Sequence, residues 1–151
     1  MRIIVDDLSH PKVAALLSEH LAGMYASSPA ECVFALDLNA LKATAITFLT
    51  AWDGEELLGC GAFKQLDAQH AEVKSMRTSS RHLRKGVAQA ILVEIMRRAS
   101  ERGIRRLSLE TGTTPDFDPA HHLYRLHGFT ECAPFADYRE NDFSLFMSKA
   151  L

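Results

Sequence analysis

Only three cysteines occur in the 151 residues, Cys32, Cys60 and Cys132, and no two of them share the CxxC spacing of a metal knuckle or a redox pair. An odd, scattered set excludes a disulfide framework and reads as reduced thiols, which implies a cytoplasmic protein. No apolar run approaches the roughly 20 residues that a membrane-spanning helix needs, and the start, MRIIVDDLSH, has no apolar signal core. Internal repeats, low-complexity tracts and interdomain linkers are absent, and no GxSxG elbow surrounds any serine. His121, His122 and His127 lie near Cys132, but adjacent histidines on a helix diverge by about 100° and no second pair completes a site. Metal is therefore not expected, and these histidines read as solvated helix residues. Net charge is also small, −2, with a pI of about 6.4.

Charge is nevertheless uneven. Lys74 to Arg106 holds ten of the seventeen Lys and Arg residues against only Glu94 and Glu101. That segment lacks the interleaved aromatic residues of a nucleic-acid surface, so its positive field suits a small anion better than a polynucleotide. With 47% hydrophobic content, 151 residues are enough for one domain, 1–151, around a single core.

The clearest pattern is AEVKSMRTSSRHLRKGVAQAILVEIMRRASER, Ala71 to Arg102. Val87, Ala88, Ile91, Leu92, Ile95, Met96 and Ala99 recur at helical spacing while Gln89, Glu94, Arg97, Arg98 and Glu101 fall opposite, and Gly103 supplies a C′ stop. Arg84-Lys85-Gly86 places a residue without a Cβ where the first unpaired N–H groups of that helix point outward with the positive end of its dipole. Phosphate oxygens suit such a place.

In chain order, Arg2 to Val5 reads as a strand. A helix follows, capped by Ser9 or His10, with Pro11 in its first turn and an end near Ala26. Ser27 to Leu41 reads as a partly helical excursion of the kind that lines a substrate pocket. Ile46 to Trp52 and Leu57 to Leu66 form a hairpin around Asp53-Gly54-Glu55-Glu56, in which Gly59 and Gly61 mark either a close backbone approach or a bulge. His70 to Thr78 leads into the central helix, and Arg105 to Thr111 returns parallel to it. Asp118 as N-cap, Pro119 and Gly128 delimit a helix over 119–127, and Phe129–Ala133 and Phe143–Ser148 close the chain as strands. The order describes an α/β sheet with one parallel step in its middle.

Glu72 through Ala88, then LSLET, then AHHLYRLHGF resemble the GNAT superfamily of acetyl-CoA-dependent N-acetyltransferases over about half the chain. The resemblance implies a mixed, mostly antiparallel sheet of about seven strands with helices on both faces, splayed between two central parallel strands. It implies acetyl-CoA as co-substrate, held at the pyrophosphate by the backbone of Leu83-Arg84-Lys85-Gly86-Val87-Ala88, the counterpart of Gln/Arg-x-x-Gly-x-Gly/Ala. Leu83 departs from that pattern, and Arg84 or Arg81 would replace the missing polar contact. By the same resemblance Met76, Arg77 and Thr78 pair through their backbone with the pantetheine arm and one of their N–H groups meets the oxyanion. Phe117 stands, three residues before Ala120, where an asparagine commonly contacts the cofactor.

Acetyl transfer to an amine needs a proton acceptor, a donor to the oxyanion and an acid for the thiolate. The resemblance makes Tyr124, on the helix face of Ala120 and Leu123, that acid, and makes Glu72, eleven residues before Leu83, the general base. A half-buried carboxylate there would have a raised pKa, whereas pairing with Lys74 on the same strand face would keep it a plain anion. The expected acceptor is a primary amine of a small molecule or peptide, attacking directly in a ternary complex. Its pocket would form from 27–41 and 134–141, whose acids Glu31, Asp37, Asp137 and Glu140 suit a cation. A non-catalytic acyl-CoA-binding or sensing module is the alternative, and a homodimer through the C-terminal strands is an open arrangement.

Overall fold

The computed structural model describes residues 1–30 and 38–151, the side chain of Ser27 excepted. Seven strands form one open sheet in the order β1-β2-β3-β4-β5-β7-β6, with β1 Arg2–Val5, β2 Ile46–Asp53, β3 Glu56–Gln65, β4 His70–Thr78, β5 Arg106–Gly112, β6 Thr130–Glu131 and β7 Ser144–Ala150. All neighbours pair antiparallel except β4 and β5. Among the described residues three α-helices cover it: α1 Pro11–Ser27, α2 Val87–Glu101 and α3 Asp118–Leu126. The mixed, splayed sheet with helices on both faces is the expected fold. Among the described residues no helix is long and apolar enough to cross a membrane.

Alternation along the strands divides the core in two. Ala71, Val73, Leu107 and Leu109 point to the α2 face, where they bury with Ile91, Leu92, Ile95, Tyr124 and Phe129. Phe48, Trp52, Cys60 and Ala62 point to the other face, against Val13, Leu16 and Leu17 of α1. Each large aliphatic side chain buried this way contributes roughly 1.5–3 kcal/mol, and the α2 stripe falls on the periodicity that the sequence displays.

Helix α2 ends in a Schellman closure: Ile104 N–H reaches the Ala99 carbonyl at 3.1 Å and Gly103 N–H that of Ser100 at 3.0 Å, with Gly103 at φ +80°. Gly59 and Gly61 serve both of the purposes left open. A Cβ on Gly59 would lie 2.7 Å from the Arg77 carbonyl oxygen, and one on Gly61 would lie 2.6 Å from both Ile91 Cγ2 and Met76 Sδ. The β3–β4 register also slips there, so that Gly61 faces Ser75 and Met76 together, with Ser75 at φ +56°.

Several expectations need correction. Asp118 is the first helical residue of α3 and not its cap, because a 3₁₀ turn over Pro115–Phe117 feeds the helix directly and Phe117 occupies the cap position. The strand expected over 129–133 is reduced to Thr130 and Glu131, with one further bond from Cys132 N–H to the Phe146 carbonyl at 2.9 Å before the chain turns into the loop to β7. His121 is not solvated: it is buried, and its Nε2 meets the Gly112 carbonyl oxygen at 2.8 Å. Within the expected excursion 27–41, a 3₁₀ turn, Ala40–Lys42, lies at the end, while Glu31 and Asp37 lie outside the described residues.

Candidate active site

Parallel pairing between β4 and β5 runs from His70↔Arg106 to Val73↔Leu109 and stops. Beyond that point β4 bulges at Ser75 toward β3 while β5 continues with β7 to Gly112, and the two strands fork. A cleft opens through the fork, lined by Glu72, Lys74, Ser75 and Met76 from β4, Glu110 and Thr111 from β5, Phe117, Ala120 and Tyr124 from the α3 side, and His20, Met24 and Tyr138 from the opposite face. The backbone edge of β4 over Lys74–Thr78 that faces β5 has no ladder partner there among the described residues, so its N–H and C=O groups are available to an extended ligand arm. Ser75 Oγ is buried and without a partner among the described residues. Met76 and Thr78 present this edge. Arg77 sends its guanidinium away to Glu19 on α1, at 3.2 Å.

On the α1 face, strand alternation sets Glu72 and Lys74 of β4 beside Ser108 and Glu110 of β5. Glu72 is 4% exposed, and its Oε2 accepts from Lys74 Nζ at 3.0 Å and from the Tyr138 hydroxyl. Lys74 Nζ also donates to the Tyr138 oxygen at 3.1 Å, which closes a three-membered cluster. Glu72 is thus the paired anion that its spacing to Lys74 allowed. Glu110 is different: burial pushes its carboxyl from 4.5 up to about 7, with Glu72 adding to the rise, while a 2.7 Å hydrogen bond donated by Ser144 and the Lys74 charge oppose it. His20 completes this wall, its imidazole held neutral at about 4 by burial and by the Arg77 charge.

Tyr124 enters from the other face. Gly128 at φ +89° lets α3 end in a second Schellman closure, in which Phe129 N–H meets the Tyr124 carbonyl at 3.0 Å and Gly128 N–H that of Arg125 at 3.0 Å. The same closure seats the Phe129 ring edge-on to the Tyr124 ring, centroids 5.7 Å apart, and Lys149 Nζ donates to the partly buried His127 carbonyl at 2.6 Å. The ring is fixed by packing, and its hydroxyl makes no hydrogen bond among the described residues. Burial first and the Glu110 charge second push the phenol above its usual 10.

Phe117 has a steric account. Its ring fills the space above Gly112, where an added Cβ would come within 2.1 Å of Phe117 Cε2, so it packs down on the end of β5 as a wall of the cleft, beside Ala120.

The turn before α2 holds Arg84 at φ +61° and Gly86 at φ +79°, with Gly86 in the cap position and nothing within 4 Å of where its Cβ would stand. Leu83, Arg84 and Lys85 are exposed there, while Val87 is buried against Gly59 and Ala88 is partly covered. Gly86 is therefore required by its dihedral angles, and the space over the first N–H groups of α2 is open. This is a cradle that phosphate oxygens fit. Arg97 and Arg98 are tied by Glu94 and Glu101, whereas Arg84 and Lys85 of the turn are exposed. Among the described residues no three His, Cys, Asp or Glu side chains converge as a metal site requires.

Sequence reasoning missed Glu110 and Tyr138. Glu110 had one signal, an acid alternating with Leu107 and Leu109 at the end of a parallel strand. Tyr138 had none, because only the course of its loop brings it to Glu72. The loop acids Asp137 and Glu140, expected to draw in a cation, point to solvent.

Residues 13–129 match the Acetyltransferase (GNAT) family. An uncharacterised N-acetyltransferase of Bacillus subtilis, YsnE, is 52% identical over 151 residues, covering 100% of both chains. A putative acyl-CoA N-acyltransferase from Klebsiella pneumoniae superposes with a TM-score of 0.79 at 22% identity, over 99% of this chain and 97% of that one. A GNAT family acetyltransferase from Elizabethkingia anophelis with acetyl-CoA bound superposes with a TM-score of 0.70 at 15% identity, over 99% and 97%. A forked β4–β5 pair, an open helix start after a left-handed glycine and a family match over most of the chain agree: this protein is a member of the GNAT acetyltransferase family.

Proposed function

We propose that this acyltransferase moves an acetyl group from acetyl-CoA to a primary amine of a small molecule or peptide by direct attack in a ternary complex. The observation that carries the reading is the meeting, through the forked sheet, of an acid and a base from opposite faces: Tyr124 on the α3 side and Glu110 on the α1 side. Acetyl-CoA held by a protein of the same fold supports the donor. Residues 83–88 hold the pyrophosphate and the free edge of Met76–Thr78 holds the pantetheine arm, which brings the thioester into the fork with Phe117 and Ala120 as its wall.

The acceptor arrives as an ammonium ion. Glu110, held at about 7 and therefore ionised in part of the molecules near neutral pH, takes one proton in that form, and the free amine attacks the thioester carbonyl to form the C–N bond. A β4 backbone N–H in the fork stabilises the oxyanion. Nitrogen releases its second proton to solvent, the C–S bond breaks, and the thiolate takes the Tyr124 proton, which solvent later restores. Burial, the larger cause of the raised Tyr124 phenol, is unchanged, but proton acceptance by Glu110 removes the negative charge that adds to it, so the first transfer makes the later donor more acidic. Glu72, the base expected from sequence, is engaged by Lys74 and Tyr138 and is not given that role. Direct attack is favoured because no cysteine among the described residues lines the cleft, and the buried Cys60 thiol is pushed up to about 12.

A panel of primary amines, amino acids and peptides, screened for thiol release from acetyl-CoA, tests the proposal. Amine-dependent release that falls at least about tenfold in Glu110→Gln and in Tyr124→Phe is expected. Heat on titration with acetyl-CoA without turnover of any amine would favour a binding or sensing module instead.

A further inference from the structure

We propose that Glu72 and Lys74 are positioning residues that jointly set the charge facing Glu110, one opposing the other, with Tyr138 holding the pair in place; this rests on the assignment of proton acceptance to Glu110. Glu72 and Glu110 share the α1 face across the last parallel-paired residues of the sheet, immediately before the fork. Lys74 follows on the same face of β4. A carboxylate and an ammonium bound at 3.0 Å nearly cancel at a distance, so Glu110 faces a neutral pair and not a single charge.

The pair cannot drift. The Tyr138 hydroxyl bonds both members, and its ring lies against Phe135 and Phe146 with centroids 5.1 Å and 5.6 Å away. Phe146 is the cross-strand partner of Glu110, so the strap that anchors the pair is seated beside the carboxylate it influences. Among the described residues the remaining groups around Glu110 carry no compensating charge: Ser144 from β7 donates a hydrogen bond, Tyr124 from α3 and Tyr138 from the loop stay protonated, and His20 from α1 is neutral. Any imbalance between Glu72 and Lys74 is consequently felt at Glu110 with little screening.

The test is a carbon-13 NMR titration of the full chain, labelled at glutamate Cδ, with no ligand, the Glu110 signal being assigned from its loss in Glu110→Gln. In Glu72→Gln the uncompensated Lys74 ammonium should lower the Glu110 midpoint by about one pH unit. Lys74→Met should raise it, and the double variant should return it to within about half a unit of the parent. Midpoints that stay put, or that move the same way in both single variants, overturn the proposal. Should Glu72→Gln not fold, the upward shift in Lys74→Met decides alone. The two readings fail separately: a Glu110→Gln enzyme that keeps its turnover removes Glu110 as proton acceptor, while the titration reports the charge control whether or not turnover occurs.

Discussion

Glu110→Gln should make the protein more stable at alkaline pH while it slows turnover. The fold holds the carboxyl at about 7 against its ordinary 4.5, so it prefers the protonated form. For a group raised in this way the stabilisation is complete below the unfolded value, about pH 4.5, and is lost as pH rises through about 7. At roughly 1.4 kcal/mol per pH unit, the gap between 4.5 and 7 corresponds to about 3 kcal/mol. Glutamine copies the protonated acid in shape and can still accept the Ser144 hydrogen bond, so the variant escapes that loss. Urea unfolding should find it about 2–3 kcal/mol more stable than the parent at pH 8 and within about 0.5 kcal/mol of it at pH 4.5. On the same preparation kcat should fall about 10²-fold or more, the usual worth of a positioned base. A stability difference of the same size at both pH values would refute the reasoning, because a pH-independent effect cannot come from the ionisation of Glu110.

Tyr124→Phe removes a hydroxyl without a partner among the described residues, so stability should change by less than about 0.5 kcal/mol while kcat drops at least tenfold and acetyl-CoA affinity shifts less than about threefold; a thermal melt beside steady-state kinetics reads both. Gly86→Ala meets no atom but must adopt φ +79°, so calorimetry should show about 1 kcal/mol of lost stability and a weaker acetyl-CoA titration from a distorted helix start. Gly112→Ala drives a methyl into the Phe117 ring, and should raise the KM for acetyl-CoA and lower stability by about 1–3 kcal/mol, measured by initial rates and chemical unfolding. If Gly112→Ala leaves that KM unchanged, Phe117 is not a wall of the donor site.

What the residues determined by themselves were the local elements, because their causes are local. The 87–99 stripe, Gly103 and Gly128 specify α2 and both helix ends through period and left-handed dihedrals, and the helix between two strands forces the single parallel step. The resemblance carried by Glu72–Ala88 and Ala120–Phe129 then brought the family, the cradle at Gly86 and the acid candidate Tyr124 into view. What the tertiary structure decided is which carboxylate stands free. Glu72 and Glu110 are both acids on strands, and no spacing distinguishes them. One is neutralised by Lys74 and by a tyrosine 66 residues away in a loop without periodicity, while the other meets a serine 34 residues away and a charge balance set by its neighbour. His121 shows the same limit: on its short helix it reads as solvent-facing, yet the end of β5 arrives over it and offers the Gly112 carbonyl. Burial and partnership across distant segments fix the charge state of a side chain, and those are properties of the packed chain, whereas turn dihedrals and helical periodicity are written residue by residue.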